Sequence, residues 1–264
     1  MTKMEYAQAI ANAVGGEVKE VNKNGVMMTA VTKVTEGIAP VLYVEKGYEN
    51  EVEVEEMVET FNQALVNASQ NNAERIVNVI NNWESAKEII TTKLVNKSRN
   101  TSTVYRSAKG YGMGDLVIVP IMKISIVGNN GVTTVTEDMI KSWGVTKRTV
   151  IDRAIKNTVC RIEKLSTKLA AMTGIPEERF ESPFIIVSNV TGFYGASAIL
   201  NAREQLAKML PNGYYIVPSS VHEVLVIPKE YGADSDKLDG LIGDVNENVL
   251  ANEDYLSDHA YEVA

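Results

Sequence analysis

The chain has 264 residues, 45% of them hydrophobic and 23% charged, with a formal net charge of −8. That balance excludes a mainly disordered state and leaves enough chain for one large domain or two modest packed ones. A single cysteine, Cys160, excludes an internal disulfide and thiolate metal clusters, and no apolar run approaches the ~18 to 20 residues of a membrane helix.

Met4, Ala7, Ile10, Ala11 and Val14 recur at three- and four-residue spacing, which predicts an amphipathic helix over 3–14, stopped by Gly15-Gly16. Asn24-Gly25 between two strand-like runs predicts a hairpin over 17–34, and APVLYV a third strand. Met57, Val58, Phe61 and Leu65 place a helix over 52–68; Ile76, Ile80, Trp83, Ile90 and Leu94 place another over 74–96. The run DLVIVPIMKISIVG predicts a long strand bulged or broken at Pro120, which lacks a ladder donor, before GNNG turns the chain. Thr136 is placed to cap a short helix, EDMIKSWG. Thr146 caps a long one that carries Ile151, Ala154, Ile155, Ile162, Leu165 and Leu169 on one face to a stop at Gly174 and Pro176. A strand (PFIIVSN), a helix (SAILNAREQLAKML), a hairpin over 214–228, a last helix around Leu238 to Val245 and an acidic tail follow. The fold class expected is α+β, with a mixed, mostly antiparallel sheet or sheets, packed helices and a tail returning over the body. An N-terminal unit over 1–70 and a C-terminal unit over 71–264 are expected, able to pack as one domain.

Chemistry concentrates in YYIVPSSVHEVLVIP, which holds one of the two histidines. In a strand His222 shares a face with Ser220, while Glu223 points the opposite way. Residues i and i+2 lie ~6.5 to 7 Å apart, beyond direct hydrogen-bond reach, so Ser219 and Ser220 read first as turn residues and His222 as a local partner. The catalytic alternative is a hydrolase using Ser220 or Ser219 with His222, served by Asp258 and His259 if the tail folds back. The metal alternative would gather His222, Glu223, Asp258 and His259, but no H-x-x-x-H or H-x-D spacing supports it, and no metal or cofactor is expected. KGYGMGD precedes a strand and has no Walker lysine, so it reads as a loop and not as a phosphate cradle.

Charge is segregated. Residues 229–264 hold ten acidic side chains against two lysines, 45–59 seven glutamates against one lysine, and 141–168 eight basic against two acidic. The segment 136–161 imitates a helix-turn-helix, in which Lys147, Arg148, Arg153, Lys156 and Arg161 would meet phosphates. A capped helix pair packed on a sheet gives the same pattern.

The stretches TKLVNKSRN, TEDMIKSWGVT, IKNT, YGASAIL, YYIVPSSVHEVLVIP and VNENVLANEDYLSDHAYE stand in this order, after NGVMMTAVTKVTEGIAPVLYVEKGYEN. In that order they resemble an uncharacterised bacterial domain-of-unknown-function family, common in anaerobic gut bacteria and their mobile elements. The Pro-Ser-Ser-x-His-Glu-Val hairpin and the Leu-Ser-Asp-His tail are the specific marks. The resemblance spans nearly the whole chain and implies no activity, cofactor or catalytic residue. It reads 136–161 as a packed Trp-Gly turn, while SNVTGFYGA and TKRTVIDR depart from the pattern as in a specialised, phage-borne member. The expectation is a non-catalytic cytoplasmic binding or interaction protein with a protein partner, tied to a mobile element. A hydrolase and a DNA-binding protein are the alternatives; no membrane association is expected.

Overall fold

The computed structural model describes residues 1–35, 38–69, 72–126, 129–180, 182–231 and 234–264. Thr2 caps α1 (Lys3–Val14) through a reciprocal capping box with Glu5, and Gly15 ends it in the left-handed conformation. The hairpin predicted at Asn24-Gly25 forms: β1 (Glu17–Lys23) and β2 (Val26–Thr32) pair from Glu17↔Thr32 to Lys23↔Val26. Both turn residues have positive φ, 51° and 87°, as a two-residue hairpin turn of this kind requires. β3 (Val41–Tyr43) adds to β2, and after the short α2 (Glu45–Glu49) comes α3 (Val54–Ser69). The apolar stripe of α1 packs with Val31, Val44, Met57, Phe61 and Leu65 into one cluster.

The single helix expected over 74–96 is instead three elements: α4 (Asn72–Asn81), α5 (Trp83–Ile89) and β4 (Ile90–Asn96). Asn82 breaks it, turning extended and accepting the Glu84 and Ser85 N–H groups to restart the helix. Beyond Ile89 the sequence ITTKLVN is rich in β-branched residues, and the segment finds a ladder partner. β5 (Arg106–Ser107) precedes β6 (Leu116–Ile126), and β4 pairs with β6 without a gap from Ile90↔Met122 to Asn96↔Leu116.

The bulge expected at Pro120 is absent from this register. The Pro120 carbonyl accepts from Val135 N–H, so its imino nitrogen points to the same side of β6. There the neighbouring strand changes, because β5 pairs only as far as Ile118 and β7 (Asn129–Thr134) begins at Ile121. No ladder donor is required of Pro120, and the strand runs on. The turn expected at GNNG falls partly outside the described residues.

Thr136 and Thr146 cap α6 (Glu137–Trp143) and α7 (Lys147–Asn157) as their positions predict. The long helix expected after Thr146 ends early. Buried Thr158 turns extended, donates to the Ala154 carbonyl and meets the hydroxyls of Thr91 and Thr92. The chain then enters β8 (Arg161–Lys164) before α8 (Leu165–Thr173). β9 (Ile185–Ser188), α9 (Ile199–Met209), β10 (Tyr214–Val217), β11 (Val224–Pro228), α10 (Ser235–Asn248) and β12 (Tyr261–Val263) complete the chain.

The described strands form three sheets with antiparallel pairing throughout: β1-β2-β3, then β4-β6-β5 with β7 on β6, then β12-β10-β11-β9-β8. The architecture is α+β. The largest core lies between the second and third sheets and α9, with Leu94, Ile118, Ile121, Val187, Ile199 and Ile216 among its members. The tail does fold back. β12 adds to β10, and Ser257 and Tyr261 donate to the two oxygens of Asp115 at 2.6 and 2.7 Å.

Candidate functional site

The three sheets meet around Lys93. On β4, side-chain alternation puts Lys93 on the face of Thr91 and Val95, opposite Thr92 and Leu94, which point into the core. The β1–β2 turn brings buried Asn24 to it: Asn24 Nδ2 donates to the Glu253 carbonyl at 3.0 Å, and Asn24 Oδ1 accepts from Lys93 Nζ at 3.0 Å. The ring of Tyr194 supplies the other contact, with its centroid 5.0 Å from Nζ. Among the described residues Lys93 makes no ion pair. Burial pulls its amine from an ordinary 10.5 down to about 8.

Two cavities share Lys93, Asn22, Asn24 and Thr134. The smaller, about 270 Å³, is walled by Arg99, Asn100, Ser102, Thr103 and Thr136, with Val95 and Val135 among them. The larger, about 640 Å³, is walled chiefly by Tyr43, Ile76, Ile80, Ile124, Val132 and Phe193. Lys93 stands at the junction of a hydroxyl- and amide-lined lobe and an apolar one.

The wall that carries Tyr194 is unusually constrained. Tyr194 has φ 51°, a left-handed conformation that disfavours a bulky side chain. Its N–H donates to His222 Nδ1 at 3.2 Å, and its ring packs with Phe193 and His222. Gly195 follows it so closely against the third sheet that a Cβ there would run into Ser188 Oγ and the His222 carbonyl, and lie 2.8 Å from Asn189 N. Because Nδ1 of His222 accepts, Nε2 carries the proton and donates to Asp254 Oδ1 at 3.1 Å. That hydrogen bond holds the Asp254 carboxyl below its usual range, against the opposing effect of burial. The Asp254 carbonyl also accepts from Val221 N–H, so the 252–254 turn is stitched to the β10–β11 loop.

The residues singled out from sequence are distributed differently. Ser220 Oγ accepts from the His222 N–H at 3.0 Å, and Ser220 N–H donates to the Glu223 carbonyl, which closes a local turn. Ser219 lines a separate apolar pocket with Val217, Leu225, Leu238 and Ile242. Glu223 pairs with Lys168. The carboxylate on His222 is Asp254; Asp258 accepts from Tyr255 and Asn246, and His259 pairs with Asp239 at 3.2 Å. Among the described residues no group of three His, Cys, Asp or Glu side chains is placed to hold a metal ion. In the segment 136–161, Arg153 binds Glu88 and the Lys87 carbonyl, Lys147 donates to the Thr103 carbonyl and Arg161 pairs with Glu163. Arg148 and Lys156 are exposed, Arg148 beside Asp152.

Lys93, Tyr194, Asn24 and Asp254 were not legible as site residues. The available signal was the β-branched run around Lys93, which marks a strand and would have set the lysine on one face.

The fold and the cleft define an α+β protein with a half-buried lysine at the meeting of its sheets, one that makes no ion pair among the described residues. The chain belongs to a family described as "Family of unknown function (DUF5688)", matched over residues 3–263. No curated protein and no solved structure matches it. Among the described residues no helix is long and apolar enough to cross a membrane.

Proposed function

We propose that the chain is a binding protein that takes a small organic anion into the two-lobed cleft at Lys93. The observation that carries this reading is the half-buried ammonium, without a carboxylate partner among the described residues, facing two cavities. Burying an unpaired charge is unfavourable, and an anion arriving at Nζ relieves it. The combined space lies within the range of small-molecule sites. Thr103, Thr134 and Asn22 offer donors for the anionic head, and Ile76, Ile80 and Val132 offer an apolar surface for its body.

The test uses 8-anilino-1-naphthalenesulfonate, a fluorescent aromatic anion, with 4-methylpentanoate as competitor. Saturable binding at one site is expected, displaced by the competitor and weakened at least about 10-fold by Lys93→Met, the size of one charge-assisted hydrogen bond. Thermal melts keep loss of fold apart from loss of the site. Binding that is unchanged in the variant, or that never saturates, overturns the reading. The protein partner expected from sequence is a separate proposal, supported by the segregated charge and by the row Leu241, Val245 and Val249, exposed on and just beyond α10.

A further inference from the structure

We propose that Lys93 captures the carbonyl carbon of a 2-oxo acid as an imine, so that its ligand is held by a reversible covalent bond. This rests on the anion-binding reading above and adds to it the class of ligand. An amine becomes a nucleophile only when it sheds its proton, which most surface lysines do rarely at neutral pH. Lys93 is largely desolvated, faces no carboxylate among the described residues that would hold the proton, and has one N–H direction fixed by Asn24 Oδ1 at 3.0 Å. With the amine near 8, about a fifth of it is neutral at pH 7.4, against roughly a thousandth for an ordinary lysine. The Tyr194 ring shields one side, leaving the cavities as the approach for a carbonyl.

A 2-oxo acid suits both states of the lysine. Its carboxylate pairs with the ammonium on arrival. After proton loss, the adjacent ketone carbon is within reach of the same nitrogen. The Nζ lone pair attacks C2, the C=O π pair moves onto oxygen, and the nitrogen's proton passes to that oxygen to give a carbinolamine. Protonation of the hydroxyl and its departure as water, with the nitrogen lone pair closing the C=N bond, leave a protonated imine, which returns that proton to solvent. Amine and ketone give imine and water, with no oxidant or reductant. The side chain of the acid then lies against Ile76, Ile80 and Val132, while Thr134 and Asn22 offer hydrogen bonds to the carboxylate.

The intact protein is incubated at pH 7.4 with 4-methyl-2-oxopentanoate and sodium cyanoborohydride, which reduces an imine to a stable secondary amine. Peptide mapping by mass spectrometry then locates the adduct. One adduct per chain is expected, on Lys93, formed at least about 10-fold faster than at the average surface lysine. It should be suppressed by 4-methylpentanoate and absent in Lys93→Arg, which keeps the cation. Labelling spread evenly over surface lysines, or none, overturns the proposal. If 4-methylpentanoate binds but no adduct forms, the imine fails and the anion site stands. If neither acid binds, the anion site fails and takes this proposal with it.

Discussion

Replacing Lys93 by methionine is expected to make the ligand-free protein more stable at pH 7, not less. Methionine keeps an unbranched apolar stem in the same space and removes the partly buried charge. The amine falls from 10.5 to about 8 through burial, and at about 1.36 kcal/mol per pH unit that gap corresponds to on the order of 3 kcal/mol of destabilisation while the lysine is protonated. Asn24 Oδ1 loses its donor in the variant, which takes back about 1 kcal/mol and leaves a net gain of about 2 kcal/mol. The pH dependence follows from the direction of the shift. Between about 8 and 10.5 the unfolded chain binds the additional proton, so wild-type stability from this group rises with pH across that window. Below about 8 the penalty is fully present; above 10.5 it is gone. Urea denaturation of both proteins at pH 7, 8.5 and 10 reads the difference directly. The advantage of Lys93→Met should be largest at pH 7 and mostly lost by pH 10. A variant less stable than wild type at pH 7, or a gap indifferent to pH, would refute the claim that this lysine is desolvated without a compensating ion pair.

The Tyr194 wall makes two further predictions. Gly195→Ala forces a Cβ into Ser188 Oγ and the His222 carbonyl, and should cost about 2 to 3 kcal/mol by urea denaturation; a neutral substitution would mean this backbone is not held where it is. Asp254→Asn weakens the bond to His222 and should lower stability by about 1 to 2 kcal/mol at pH 7. Because the Asp254 carboxyl is depressed, its contribution is present above the ordinary 3.8 and fades as pH falls through the lower folded value. A deficit in Asp254→Asn that persists undiminished in acid would assign it to packing, not to charge.

Local signals carried much of the fold. The period of α1 and the Asn24-Gly25 turn need no distant partner to be read, and the hydroxyl caps at Thr136 and Thr146 are equally local. One misread segment has a spacing that satisfies two periods at once. Ile90 and Leu94 are four apart, which keeps one face of a helix and one face of a strand alike. The strand wins because β6, more than twenty residues on, supplies a ladder that a helix would leave empty. Ile162 and Leu165 are three apart and fit only the helical period, yet pairing with β9 makes Arg161–Lys164 a strand, and Leu165 opens the next helix. The site was harder to see. His222 and Asp254 are 32 positions apart, and no spacing announces their bond. Lys93 is an ordinary strand lysine in sequence; its character comes from Asn24 and Tyr194, brought in from two other parts of the chain. Glu223 and His222 have different partners, Lys168 and Asp254, but both lie in the loop between β10 and β11, where the strand alternation expected of them does not apply.

The most direct test of the account is amide chemical-shift mapping of the labelled protein during titration with 4-methylpentanoate. Saturable shifts clustered at Asn22, Asn24, Lys93, Thr134 and Tyr194, and abolished by Lys93→Met, are predicted. Shifts confined to the pocket of Leu225, Leu238 and Ile242, or none that saturate, would contradict it.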